Sequence, residues 1–95
     1  MKIGELIQLL DETITNVRIA IVANQNRAFE SPYTSYEFIQ RALELQENLD
    51  DLMKAREYLS KFDPQDEEEN HFSEEELRDF LKMLELLRDT DAYIY

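Results

Sequence analysis

The sequence contains no cysteine, almost no glycine and no long apolar run. Without cysteine the chain can form neither a disulfide nor a thiolate metal site. A single glycine argues against the glycine-rich loops that hold phosphate groups. No apolar run approaches the roughly 18 residues that a membrane span requires. We therefore expect no cofactor and no contact with a membrane.

Secretion is also not indicated by the residues that follow Met1. Glu5, Asp11 and Glu12 interrupt the apolar residues there, whereas a secretory segment has a continuous apolar stretch. The lack of cysteine is compatible with a reducing compartment. We therefore expect a cytoplasmic protein.

Positive charge is scarce as well, and the net charge is −12. Residues 63–76 contribute −8 of it and contain no Lys or Arg, so the rest of the chain is near balance. Nucleic acids and anionic membranes require clustered Lys and Arg, so direct binding to either is not expected. A protein, especially a basic one, is the expected partner. The candidate patch for it consists of Asp66, Glu67, Glu68 and Glu69.

The periodicity of apolar residues predicts one long helix over residues 3–26. Its seam has spacings of 4, 3, 4, 3 and 4 and consists of Ile3, Ile7, Leu10, Ile14, Val17 and Ile21. Residues 13–22 are rich in β-branched side chains, which favour strands. We nevertheless predict a helix, because the seam runs unbroken through them. A loop over residues 27–33 follows, with Pro32 disfavouring helix.

Two further helices are predicted, each opened by a capping box. The first covers residues 34–61 and begins with Thr34 and Glu37; the second covers residues 73–89 and begins with Ser73 and Glu76. An acidic connector (residues 62–72) separates them, and an aromatic tail (residues 90–95) follows. The chain is thus one helical domain over residues 1–95.

The predicted fold is all-α, with a long antiparallel helical hairpin and a shorter third helix that covers about half of it. The first helix is apolar on nearly all sides towards its end, and such a helix needs contacts all round. We therefore predict a homo-oligomeric helical bundle with an interface that includes Val17, Ile19, Ile21 and Val22. The alternative is a monomer in which residues 93–95 fold back over this surface.

Catalytic and metal sites are not predicted. Asp63 and Glu74 have the spacing of the end ligands of a calcium loop, but Glu68 stands where that loop needs glycine. His71 is the only histidine and has no second histidine or cysteine to share a metal. Arg56 occupies a seam position. It either pairs with an acid such as Glu12 across the hairpin or extends to the edge of the core.

Three functions are compatible with these patterns. The leading one is a small acidic, non-enzymatic protein–protein interaction module: a regulator, inhibitor or assembly adaptor acting as a homo-oligomer. One alternative is a DNA mimic, whose carboxylates would compete for the basic groove of a nucleic-acid-binding enzyme. The other is a small-ligand protein that binds a nucleotide at a subunit interface through Arg27, Tyr33 and Tyr36.

Overall fold

The computed structural model describes residues 1–30, 32–33 and 35–88, which form an all-helical fold. In chain order the helices are α1 (Ile3–Glu30), α2 (Ser35–Leu59) and α3 (Glu74–Arg88). The all-helical prediction is confirmed.

No β-strand occurs in these described segments, where pairing is limited to an isolated bridge between Lys2 and Glu67. Glu68–Asn70 adds a single turn of 3-10 helix between α2 and α3. None of the helices within the described ranges is long and apolar enough to cross a membrane.

Helix α1 remains helical through its β-branched run, because that run contributes buried side chains at every turn. Ile14, Val17 and Ile21 are all buried in the core. The helix also continues one turn beyond the predicted end at residue 26. The polar residues from Asn24 onward end the apolar pattern but not the helix. The Asn24 side chain is buried, and its Nδ2 donates to the carbonyl oxygen of Ala20 at 2.7 Å.

Helices α1 and α2 pack closely along their lengths, and the molecule measures 51 × 21 × 16 Å. From α2 the core receives Ala42, Leu45, Leu49, Leu52 and Leu59. Helix α2 begins at Ser35 and ends two residues before the predicted Lys61. Its predicted cap, Thr34, lies outside the described residues.

Three polar or aromatic pairs join α1 to α2. Arg56 Nε donates to Asp11 Oδ1 at 2.6 Å, and Arg18 Nη2 lies 3.6 Å from the sulfur of Met53. The Arg27 guanidinium lies 5.9 Å from the ring centroid of Phe38. Arg56 is therefore paired and also half-exposed, and its partner is Asp11 rather than Glu12. Hydrogen bonding to Asp11 raises the pKa of Arg56.

The connector between α2 and α3 closes the start of α1. The first amides of a helix have no partner within it. Here Ile3 N–H donates to the carbonyl of Asp66 and Gly4 N–H to that of Pro64, both at 2.9 Å. Glu68 N–H returns to the carbonyl of Met1 at 2.8 Å. The connector thus acts as an external cap on α1.

Helix α3 begins with the predicted capping box. Glu76 N–H donates to Ser73 Oγ at 3.1 Å, and Ser73 N–H donates to Glu76 Oε1 at 3.3 Å. Its apolar face packs on the core through Leu77, Phe80, Leu81, Met83, Leu84 and Leu87. Its last residue, Arg88, reaches Glu12 at 3.2 Å, so α3 lies along the first half of α1. The predicted tail lies outside the described residues.

Candidate functional site

A groove lined by both long helices lies at the end of α1 that is remote from α3. It has a volume of about 420 Å³. Its walls come from one turn of α1 and two turns of α2 and carry no charged side chain: Gln25, Asn26, Ala28, Phe29, Ile39, Ala42, Leu43 and Gln46. We call it the neutral groove. In a chain of which 34% is charged, an uncharged concave surface is a distinct local feature.

Large apolar side chains in the neutral groove face solvent. Phe29 is 90% exposed and Leu43 is 56% exposed, and Ile39 is exposed as well. Each leaves apolar area in water that burial would remove favourably, at about 25 cal/mol per Å². Clustered exposed apolar side chains of this kind mark binding surfaces more often than isolated ones do.

Helical periodicity explains why the exposed apolar side chains of each helix lie on one face of that helix. On α1, Ile19, Val22, Asn26 and Phe29 recur at spacings of 3, 4 and 3, in register with one another but not with the buried seam. On α2, Ile39, Leu43 and Gln46 recur at spacings of 4 and 3. Each helix therefore has a second stripe. This stripe was the sequence signal that could have identified Phe29, Ile39 and Leu43, which the sequence analysis missed.

The four residues assigned to an oligomer interface lie in two different environments. Val17 is 0% exposed and Ile21 is also buried, both within the core of the single chain. Ile19 and Val22 are each 54% exposed and belong to the outer stripe of α1. Only these two have surface to offer a second molecule in this arrangement.

Next to the neutral groove, the core contains an unpaired polar atom. Asn24 is fully buried, and its Oδ1 has no hydrogen-bond partner among the described residues. Asn24 follows Val17 and Ile21 at the next seam spacing, so it occupies a core position of α1. An unpaired buried acceptor destabilises a fold by roughly 1–3 kcal/mol. Asn24 therefore makes the core less favourable beside the neutral groove.

The candidate acidic patch is largely engaged within the chain. Asp66 Oδ2 lies 3.1 Å from His71 Nε2, and Glu67 pairs with the Met1 ammonium at 3.2 Å. This hydrogen bond raises the pKa of the Met1 ammonium. Glu68 is buried, whereas Glu69 is exposed. Sequence alone could not show the pair between Met1 and Glu67, because these residues lie 66 positions apart in the chain.

The three candidate nucleotide contacts, Arg27, Tyr33 and Tyr36, lie in different surroundings. Arg27 lies over Phe38, and Arg41 lies 6.0 Å from the same ring centroid. Tyr33 and Tyr36 are both exposed. The aromatic ring that Arg27 contacts is thus a side chain of α2, not one of the two tyrosines.

A second concavity, of about 190 Å³, lies where α1, α2, the connector and α3 meet. We call it the aromatic pocket. One carboxylate lines it beside seven residues with apolar or aromatic side chains: Leu6, Ala55, Tyr58, Leu59, Phe72, Glu76, Leu77 and Phe80. Among the side chains that the structure describes, no three His, Asp or Glu are grouped as a metal site would require.

Comparison with known protein families, characterised proteins and solved structures gives no match to this chain.

Proposed function

We propose that the chain is a small non-enzymatic protein–protein interaction module that acts as a helical homo-oligomer. It would serve as a regulator, an inhibitor or an assembly adaptor. The observation that carries this proposal is the neutral groove, where exposed apolar side chains of two helices line one concave surface. The groove is the proposed contact between copies.

We also infer that α1 and α2 form an antiparallel hairpin. The support is the order of the three pairs that join them. As residue numbers rise along α1 from Asp11 to Arg27, the partners on α2 descend from Arg56 to Phe38. Two antiparallel hairpins that meet through their grooves would form a four-helix bundle.

Electrostatics favour the groove as the self-association surface. Two copies of a chain with a net charge of −12 repel each other over most of their surfaces. The helical segments that bear the groove, residues 16–30 and 35–49, together have a net charge of only −1. Close approach of two copies is therefore least opposed there, and it would bury Phe29 and Leu43.

The proposal is tested by sedimentation equilibrium of the full chain over low to high micromolar concentration. The wild type is expected to associate. Leu43→Glu is expected to be monomeric with unchanged helix content by circular dichroism, because a charge would be buried at the contact. The matched control is Leu86→Glu, which places the same charge at an exposed leucine of α3. A wild type that stays monomeric at high micromolar concentration contradicts the proposal.

The alternatives stay predictions, as does the cytoplasmic location. No contact of Arg27, Tyr33 or Tyr36 described above favours a nucleotide. The pairing of Asp66 and Glu67 within the chain and the burial of Glu68 give a DNA mimic no added support. The interaction module is the function that the exposed geometry supports best.

A further inference from the structure

We propose that the aromatic pocket receives a single aromatic side chain carried on a basic segment of a partner protein. The inference rests on the proposed function in that the partner is a protein. The aromatic pocket is a different surface from the neutral groove, so an experiment can refute one of the two proposals and leave the other standing. Three properties of the pocket support it: its size, its walls and its charge.

The size of the pocket suits one ring. Its volume of about 190 Å³ somewhat exceeds the roughly 150 Å³ of an apolar cavity known to bind benzene. A single aromatic side chain is therefore the largest group that it can hold, and a folded helix is far too large.

The walls of the pocket are rigidly built from four segments. Tyr58 of α2 and Phe72 of the connector have ring centroids 6.2 Å apart in an edge-on arrangement. Phe62 supports both rings, at 5.3 Å from Tyr58 and 5.7 Å from Phe72. A further aromatic ring could contact these rings edge-on, which is an arrangement that aromatic pairs prefer. The site is thus preformed, which lowers the entropic cost of binding.

The charge of the pocket selects a cationic neighbour for that ring. Glu76 lines it, and only its Oε1 is used by the Ser73 cap. Glu74 and Glu75 lie in the same turn, and no Lys or Arg occurs between residues 63 and 76. Asp66 and Glu67 pair within the chain, and Glu68 is buried. The exposed carboxylates left for a partner include Glu69 in the connector and Glu74, Glu75 and Glu76 at the start of α3.

These charges argue against a second copy as the occupant. A second copy would bring further negative charge to the most acidic part of the molecule. A segment with Lys or Arg on both sides of an aromatic residue is complementary both to the apolar pocket and to the carboxylates around it. Its ring fills the pocket, and its cations face Glu76 and the neighbouring carboxylates.

The test is calorimetric titration of the full chain with three acetylated and amidated pentapeptides. The first has phenylalanine between two pairs of lysines. The second replaces the phenylalanine with serine, and the third replaces the lysines with glutamates. We expect the first to bind at least about tenfold more tightly than either of the others, because ring and charge are both required.

Two variants locate the binding site. Ala55→Leu adds bulk to the pocket wall and should reduce binding of the first peptide to the level of the serine peptide. Glu76→Gln keeps an oxygen for the Ser73 cap but removes the charge, and should weaken binding about three- to tenfold. Glu85→Gln, further along α3, is the matched control and should change nothing.

Equal binding of the first and second peptides would overturn the proposal, since the pocket would then contribute nothing beyond charge. Absence of binding to all three would overturn it as well. Leu43→Glu should bind the first peptide as the wild type does. Loss of peptide binding with intact self-association would therefore refute the pocket alone, and the reverse result would refute the groove alone.

Discussion

The two halves of α1 have the same buried seam but different surroundings. The first half contacts α2, the connector and α3, and its opening amides are capped by connector carbonyls. The second half ends in the neutral groove and has an unpaired buried acceptor at Asn24. The comparison shows that a heptad seam determines the pairing of two helices. The residues outside that seam determine which apolar side chains stay exposed.

The largest expected difference between the halves is in the effect of truncating a leucine or phenylalanine to alanine. Leu10→Ala, in the covered half, should lower the free energy of unfolding by roughly 2–5 kcal/mol, because Leu10 is fully buried. Phe29→Ala should change it by less than about 0.5 kcal/mol. Urea unfolding in the Leu43→Glu background measures both without self-association. Similar losses for both variants would contradict the comparison.

A smaller effect is expected where the connector crosses α1. A Cβ atom at Gly4 would lie 3.2 Å from the carbonyl oxygen of Pro64. Gly4→Val should therefore push the connector away and lower the free energy of unfolding by about 1–3 kcal/mol. Gln8→Val, one turn later at an exposed position, is the control in the same urea experiment. A Gly4→Val variant as stable as this control would show that the connector can move away from α1 without a loss of stability.

The smallest expected effect has the opposite sign. Asn24→Leu removes the unpaired acceptor and adds apolar contact within the core. It should raise the free energy of unfolding by about 1 kcal/mol. Gln8→Leu, at an exposed position of the same helix outside the neutral groove, should leave thermal unfolding nearly unchanged. A lower melting temperature for Asn24→Leu would show that the buried amide is favourable where it stands.

Local patterns predicted much of the fold because they act over short distances. Ile3, Leu10 and Val17 are buried as their spacing indicates. The Ser73 capping box forms because both of its hydrogen bonds lie within four residues. Asn24 misled the prediction of where α1 ends, because a polar residue at a seam position was read as a helix end.

Longer-range features could not be predicted, because the sequence carries no local mark of them. The hydrogen bonds between Ile3 and Asp66 and between Gly4 and Pro64 join backbone atoms, so no side-chain pattern in the sequence marks them. The aromatic pocket needs four segments to converge. The outer stripe that includes Phe29 is visible in the sequence, but the periodicity of the inner seam is the stronger pattern.

The connector's contact with the start of α1 also has a consequence for the order of folding and for local opening. It joins residues near Lys2 to residues near Glu67, so both long helices lie within one closed loop of chain. Closing so long a loop is slow relative to forming the helices inside it. Once closed, it prevents the usual fraying of a helix start. Amide hydrogens of Ile3 and Gly4 should therefore exchange with solvent only when the connector detaches.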